Sequence, residues 1–220
     1  MLILARHGQS QANADGLLVG RIDSPLTELG RRQAVALGEA LAVGSDAPLR
    51  IVTSPLERAM QTAEAIAKAF GTPGRSQSQS PSGASLKGAS PRVIVDDRFV
   101  EIDYGELDGM AISKLPPGLF IRWSAETTWR PPGGETLVEV RERVIAACEE
   151  LAEEAAHRDV VVVSHVSPIK SAVIWALGGE PEVSWRLSLS VASITQIATD
   201  GPLGPSVVSF NVIDHLALLR

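Results

Sequence analysis

The sequence has a single cysteine, Cys148, among 220 residues, which excludes an intrachain disulfide. A chain without disulfides is expected in a reducing compartment, here the cytoplasm. Long apolar runs are missing too. The longest, 160–163 and 172–177, fall far below the roughly 18 residues that read as a membrane span. Met1 to Ala5 meets Arg6 and His7 too early to be a secretory signal. No membrane partner is therefore expected. Lysine is scarce: 4 Lys stand beside 16 Arg, neither forms a run, and the formal net charge is −6. That balance argues against a nucleic-acid partner, which needs a basic face. It leaves room for a small local anion site, which in this chain would be built from Arg forks.

What is present is an ordinary globular composition, 45% hydrophobic and 21% charged. The length suits one domain spanning residues 1–220 with a sizeable core, and no internal repeat is visible. Leu2 to Ala5 reads as a buried strand running into a loop at Arg6-His7-Gly8. Thr27 to about Val43 reads as a helix, with Ala34, Leu37, Gly38 and Leu41 on one stripe. Ile51 to Thr53 reads as a strand, and Ser54-Pro55 as the N-cap and first position of the next helix, which stops at Gly71.

Residues 72–91, rich in Ser, Gly, Pro and Gln, read as a flexible insertion within the domain. A strand resumes at Val93 to Val95. Gly109 to Gly134 carries few regular signals. Thr136 with Glu139 forms a capping box for a helix that turns Val140, Val144, Ala147 and Leu151 inward. Val160 to Ser164 has the continuous apolar pattern of a central strand. Ser167-Pro168 caps a further helix ending at Gly178-Gly179, and late strands are expected over Ser193–Ala198 and Val207–Val212.

Strands alternating with helices imply an α/β layered sheet, whose ligands bind beyond the carboxyl ends of the strands. Three strand ends carry chemistry: Arg6-His7, Arg58 one helical turn past the second strand, and His165. An arginine beside His7 favours the neutral, nucleophilic ring, and Gly8 lets the backbone approach a ligand closely. Glu101, Asp103, Glu106 and Asp108 are all possible proton carriers when read from the residues alone. His157 suits a helix C-terminus, His215 reads as structural, and Cys148 reads as core.

Six stretches occur together and in order: 6–13 (RHGQSQAN), 20–30 (GRIDSPLTELG), 54–63 (SPLERAMQTA), 101–109 (EIDYGELDG), 132–136 (PGGET) and Ser164-His165. The series resembles the histidine phosphatase superfamily, also called the phosphoglycerate mutase-like family. The resemblance implies a three-layer α/β/α sandwich around a central, mostly parallel sheet. It implies hydrolysis of a small phosphate monoester, with a mutase or an inactive phospho-ligand binder as alternatives.

His7 would be the nucleophile that becomes a phosphohistidine. Arg6, Arg58 and His165 would surround the phosphate, with Asn13, Gly20, Arg21 and the Val166 N–H adding contacts. Glu101 would be the general acid and then the base. No metal and no organic cofactor is implied, the partner being a small phosphorylated substrate, with a homo-oligomer also possible. Two positions depart from the family pattern. Gln9 stands where many relatives carry Glu, and Val166-Ser167 stands where Gly-Gly is frequent, which should narrow the pocket. Phe120, Trp123 and Trp129 fall where the family places residues above the pocket. The short stretch between Gly109 and Pro132 leaves the phosphohistidine open to water and favours hydrolysis over transfer.

The physics agrees with these roles. Phosphoryl transfer spreads charge over three oxygens, so catalysis is mostly positioning and electrostatics. Arg forks supply bidentate, charge-assisted hydrogen bonds. A helix N-terminus after His165 would offer further N–H groups to an anion.

Overall fold

A computed structural model describes residues 1–44, 50–71 and 91–219. The expected insertion lies outside these residues except for Pro91. Six strands form one sheet: β1 (Leu2–Arg6), β2 (Arg50–Thr53), β3 (Val93–Val95), β4 (Val160–Ser164), β5 (Ile194–Ala198) and β6 (Ser206–Val212). Their order across the sheet is β3-β2-β4-β1-β5-β6. β1 runs parallel to β4, β4 to β2 and β2 to β3, while β5 is antiparallel to both β1 and β6. The sheet is therefore mixed but mostly parallel, as expected.

The helices are α1 (Gln11–Ala14), α2 (Glu28–Gly44), α3 (Glu57–Gly71), α4 (Leu119–Ala125), α5 (Leu137–His157) and α6 (Val166–Leu177). Successive strand residues point to opposite faces, and the two faces build two cores. Leu2, Leu4, Val160 and Val162 pack with Val140, Val144, Ala147 and Leu151 of α5 and Ile169 and Ala172 of α6. Ile3, Ala5, Val161 and Val163 pack with Leu37 and Leu41 of α2 and Ala59, Ala63 and Ile66 of α3. That gives the three layers, helices covering both faces of the sheet. Cys148 is fully buried in the first core, and burial pushes its thiol up to about 12, so it is inert packing. No helix among the described residues is long and apolar enough to cross a membrane.

Besides shifts of one residue at several ends and the unexpected α1, three differences from the sequence reading stand out. α3 begins at Glu57, because Ser54 Oγ is used elsewhere: it accepts from Leu56 N at 3.3 Å and bonds His165 Nε2 at 2.7 Å. α6 begins at Val166, so Ser167-Pro168 lies inside its first turn and His165 is the N-cap residue without a side-chain cap bond. The stretch 109–134 contains α4, whose Leu119 and Trp123 are buried one turn apart on one face.

Register is what positions the site. Arg6 pairs with Ser164 across β1 and β4, and Thr53 pairs with Val163 across β2 and β4. The next residue of each strand, His7, His165 and Ser54, is therefore delivered to one end of the sheet. His7 N donates to Ser164 O at 3.1 Å and Ser54 N to Val163 O at 3.0 Å, extending the ladders past the strands. The carboxyl ends of three adjacent parallel strands thus converge.

Candidate active site

His7, Arg58, Glu101 and His165 are buried, with exposures of 2%, 0%, 3% and 0%. The His7 and His165 ring centroids lie 4.9 Å apart. His7 Nδ1 is 2.6 Å from Gly8 O. A carbonyl only accepts, so Nδ1 carries the hydrogen and Nε2 carries the lone pair. Onto that lone pair Arg58 Nε donates at 3.3 Å. Burial, then the Arg58 and Arg6 guanidinium groups, hold His7 well below the usual histidine range, so the ring is neutral near pH 7. Burial and then the neighbouring His7, Arg58 and Arg6 do the same to His165. The sequence reading credited Arg6 alone for a neutral His7; desolvation is the larger cause.

Gly8 has a different purpose from the one expected. A Cβ there would lie 2.4 Å from Gly30 O, so its missing side chain admits the α2 backbone rather than a ligand. Main-chain bonds fix the rest of the His7 loop. Ala192 N donates to His7 O at 3.0 Å, and Ala192 O is 2.9 Å from His215 Nε2. His215 is structural, as expected, with a carbonyl acceptor that fixes its Nε2 as the protonated nitrogen.

Arg58 donates from Nη1 to Ile22 O at 2.9 Å and from Nη2 to Gly20 O at 2.7 Å. The 20–22 loop is held in turn by Asp108, whose carboxylate accepts from the N–H groups of Gly20, Arg21 and Ile22 at 2.7–2.8 Å. Gly20 therefore supports Arg58. The Arg21 side chain, 43% exposed, reaches Glu135 at 3.3 Å and Asp103 at 3.5 Å. Asn13 Oδ1 accepts from Ser10 N and Ser10 Oγ in the capping box of α1, which uses the amide oxygen and leaves its NH₂ donors for an anion.

Arg6 Nη1 donates to Leu189 O at 2.5 Å. Arg6 Nε and His165 Nδ1 are buried without a hydrogen-bond partner among the described residues. Burial draws Arg6 down to about 10, which leaves it charged at neutral pH. A buried polar group without a partner costs about 1–3 kcal/mol, so each of these atoms would gain from a hydrogen-bond partner.

Glu101 lies where α6 begins. Its Oε2 accepts from Val166 N at 3.0 Å and its Oε1 from Ser167 N at 3.1 Å and Ile102 N at 2.8 Å. The Val166 N–H, assigned to the phosphate by sequence, is thus given to Glu101. Two of the other acidic candidates have separate partners: Asp108 holds the 20–22 loop, and Asp103 Oδ1 accepts from Gly105 N at 2.8 Å, while Glu106 is exposed.

Sequence reasoning missed Arg143, and it quoted Glu135 within the 132–136 motif without giving it a role. Arg143 Nη1 donates to Arg98 O and Val100 O at 2.6 and 2.8 Å, and Nη2 to Glu101 O at 3.4 Å. Its Nε and Nη2 also form a fork on Glu135 at 2.8 and 3.0 Å. Arg143 thereby ties the segment bearing Glu101 to α5. An Arg on the partly polar face of a helix gives no local signal of such a role.

Trp123 is in the core at 2% exposure, edge-on to Tyr104 and Trp129 at 5.4 and 5.3 Å. Among the described residues no group of three or more His, Cys, Asp or Glu side chains is placed to hold a metal ion.

A model of the histidine phosphatase superfamily (branch 1) matches residues 2–79 and 82–212. A glucosyl-3-phosphoglycerate phosphatase of Mycolicibacterium vanbaalenii is 33% identical over 209 residues, covering 90% of this chain and 83% of that one. Phosphoserine phosphatase 1 of Hydrogenobacter thermophilus is 32% identical over 220 residues, covering 98% and 93%. Among solved structures, a mycobacterial glucosyl-3-phosphoglycerate phosphatase in complex with VO3 superposes with a TM-score of 0.80 at 28% identity, covering 96% of this chain and 99% of that one.

Proposed function

Since the chain belongs to the histidine phosphatase superfamily and is a phosphatase of small phosphate esters, we propose that it hydrolyses them in two steps through a phosphohistidine at His7 Nε2. The observation that carries this reading is the tautomer. Gly8 O keeps the proton on Nδ1, so the lone pair is on Nε2, beside Arg58.

In the first step Nε2 attacks phosphorus and the bond to the leaving oxygen breaks. Arg6, Arg58 and His165 hold the phosphoryl oxygens, with the Asn13 amide as a further donor. A protonated Glu101 passes its hydrogen to the leaving oxygen, which departs as an alcohol. In the second step the Glu101 carboxylate takes a proton from water. The oxygen attacks phosphorus, the P–N bond breaks, and phosphate leaves with neutral His7 restored. Two moderate barriers replace one high one. The chain's own cations supply the electrostatic stabilisation, so chelators should leave turnover unchanged. Arg21, with Gly20, lies on the loop that steadies Arg58 and acts at the rim.

The test is to trap the intermediate. Quenching turnover of a ³²P-labelled ester should leave alkali-stable, acid-labile label on the wild type and none on His7→Ala. Label retained by that variant would remove His7 from its role. Glucosyl-3-phosphoglycerate and phosphoserine, after which the relatives are named, are the first esters to assay.

A further inference from the structure

A cavity of about 90 Å³ opens beside the first turn of α6. It is walled by α4, α5, α6 and the short 3₁₀ helix Pro181–Arg186. Val166 and Ser167, whose N–H groups hold Glu101, form one side of it. Any leaving group whose oxygen is protonated by Glu101 must occupy space next to these residues. The cavity admits several non-hydrogen atoms.

Its lining has a definite chemistry. Phe120 and Trp185, 42% and 36% exposed, meet edge-on at 6.2 Å, and Trp123 lies 6.0 Å from Trp185. The charged residues of the lining are Arg141 and Lys170, with no Asp or Glu among the lining residues. Neither cation is ion-paired among the described residues. Arg141 Nη2 donates to Gly179 O at 3.3 Å, and its Nε is buried without a partner. Trp123 Nε1 is likewise buried without a partner. Lys170 sits one turn above Val166 on α6, near enough to Glu101 and Arg6 to feel both charges; burial draws its ammonium below the usual lysine range, with Glu101 opposing and Arg6 adding to the shift. Two unpaired cations and unspent N–H donors, in a chain of net charge −6, call for an anion.

We infer that this cavity is the leaving-group subsite, and that Lys170 and Arg141 select phosphate esters whose leaving group carries a carboxylate. The inference rests on the phosphatase reading above. The phosphoryl group sits at His7, and the carbon body crosses Val166-Ser167 into the cavity. Its carboxylate meets Lys170 and Arg141, while the aromatic rim covers its apolar face. Val166, bulkier than glycine, then forms the wall between the phosphate and the subsite.

The test uses matched ester pairs that differ at the carboxylate: 3-phosphoglycerate against glycerol 3-phosphate, and phosphoserine against phosphoethanolamine. The wild type should favour the carboxylate member of at least one pair by about tenfold or more in kcat/KM, the scale of a hydrogen bond to a charged group. Lys170→Met and Arg141→Met should each shrink that ratio, and Lys170→Arg should restore most of it. A ratio is insensitive to the amount of folded enzyme, so partial misfolding does not mimic the effect. Ratios near one in the wild type, or ratios unmoved by either Met variant, would overturn the inference while leaving the phosphatase reading intact. Failure to hydrolyse any of the four esters or p-nitrophenyl phosphate would sink both.

Discussion

Arg58 Nε donates to His7 Nε2 from 3.3 Å, and the same guanidinium holds Gly20 O and Ile22 O. One buried side chain therefore faces the proposed nucleophile, His7, and fastens the 20–22 loop beside it. Because its cation lies against a ring already desolvated, protonation of that ring is opposed twice over.

Arg58→Ala should remove a charge-assisted donor to the phosphoryl group, costing about 1.5–3 kcal/mol or more in transition-state binding. Inhibition by phosphate and by vanadate should weaken alongside kcat/KM. Arg58→Lys should recover little, since a single ammonium cannot reach the ring nitrogen and two carbonyls together. Unchanged inhibition constants with lost activity would place Arg58 outside the anion site.

Stability should fall with acid in a defined way. His7 and His165 resist protonation when folded and have the ordinary histidine value, about 6.5, when unfolded. Above that pH both states hold neutral rings, and the full contribution is present. Below it the unfolded chain gains protons that the folded chain refuses, so stability drops by about 1.4 kcal/mol per pH unit for each histidine. Urea unfolding at pH 7, 6 and 5 measures the slope. His165→Gln should flatten it by about half of this two-histidine contribution; an unaltered slope would contradict the assignment.

Arg143 is a positioning residue for Glu101, acting through the carbonyls of Val100 and Glu101. Arg143→Met should lower kcat about tenfold or more on alkyl phosphates, whose leaving oxygen needs a proton. It should lower kcat less on p-nitrophenyl phosphate, whose leaving group departs as a stable anion. Arg143→Lys should recover part of the loss. Equal falls on both ester types would assign Arg143 to folding alone.

Gly8→Ala should be costly without touching any reacting group. The added Cβ would sit 2.4 Å from Gly30 O, a backbone atom, so β1 or α2 must shift. Overpacking of this kind costs about 1–3 kcal/mol. Thermal unfolding reads it directly, and a wild-type Tm would show that the loop yields freely.

Periodicity alone determined much of the fold. The apolar stripe of Ala34, Leu37 and Leu41 and the all-apolar run from Val160 are local patterns, and their burial follows from composition. The same holds for the Thr136–Glu139 capping box, which closes within four residues and was found as expected. The six motifs in order named the candidate residues, because each motif is a short local string.

Partnership was decided only in three dimensions. Ser54 looked like a helix cap because sequence shows only its neighbours; its Oγ does accept from Leu56 N, but parallel pairing of β2 with β4 also puts it against His165. Val166 N–H looked like a phosphate donor, yet Glu101, far away in the chain, reaches it first. Arg143 carries no local signature, and although Asp108 and Glu135 fall within the 101–109 and 132–136 motifs, their partners are backbone or charge brought to them by folding. The tautomer of His7 likewise depends on the turn that places Gly8 O at its ring. The sequence by itself determined which residue types and elements exist; strand register and long-range hydrogen bonds decided which atoms face one another, because those distances arise only when separate segments pack.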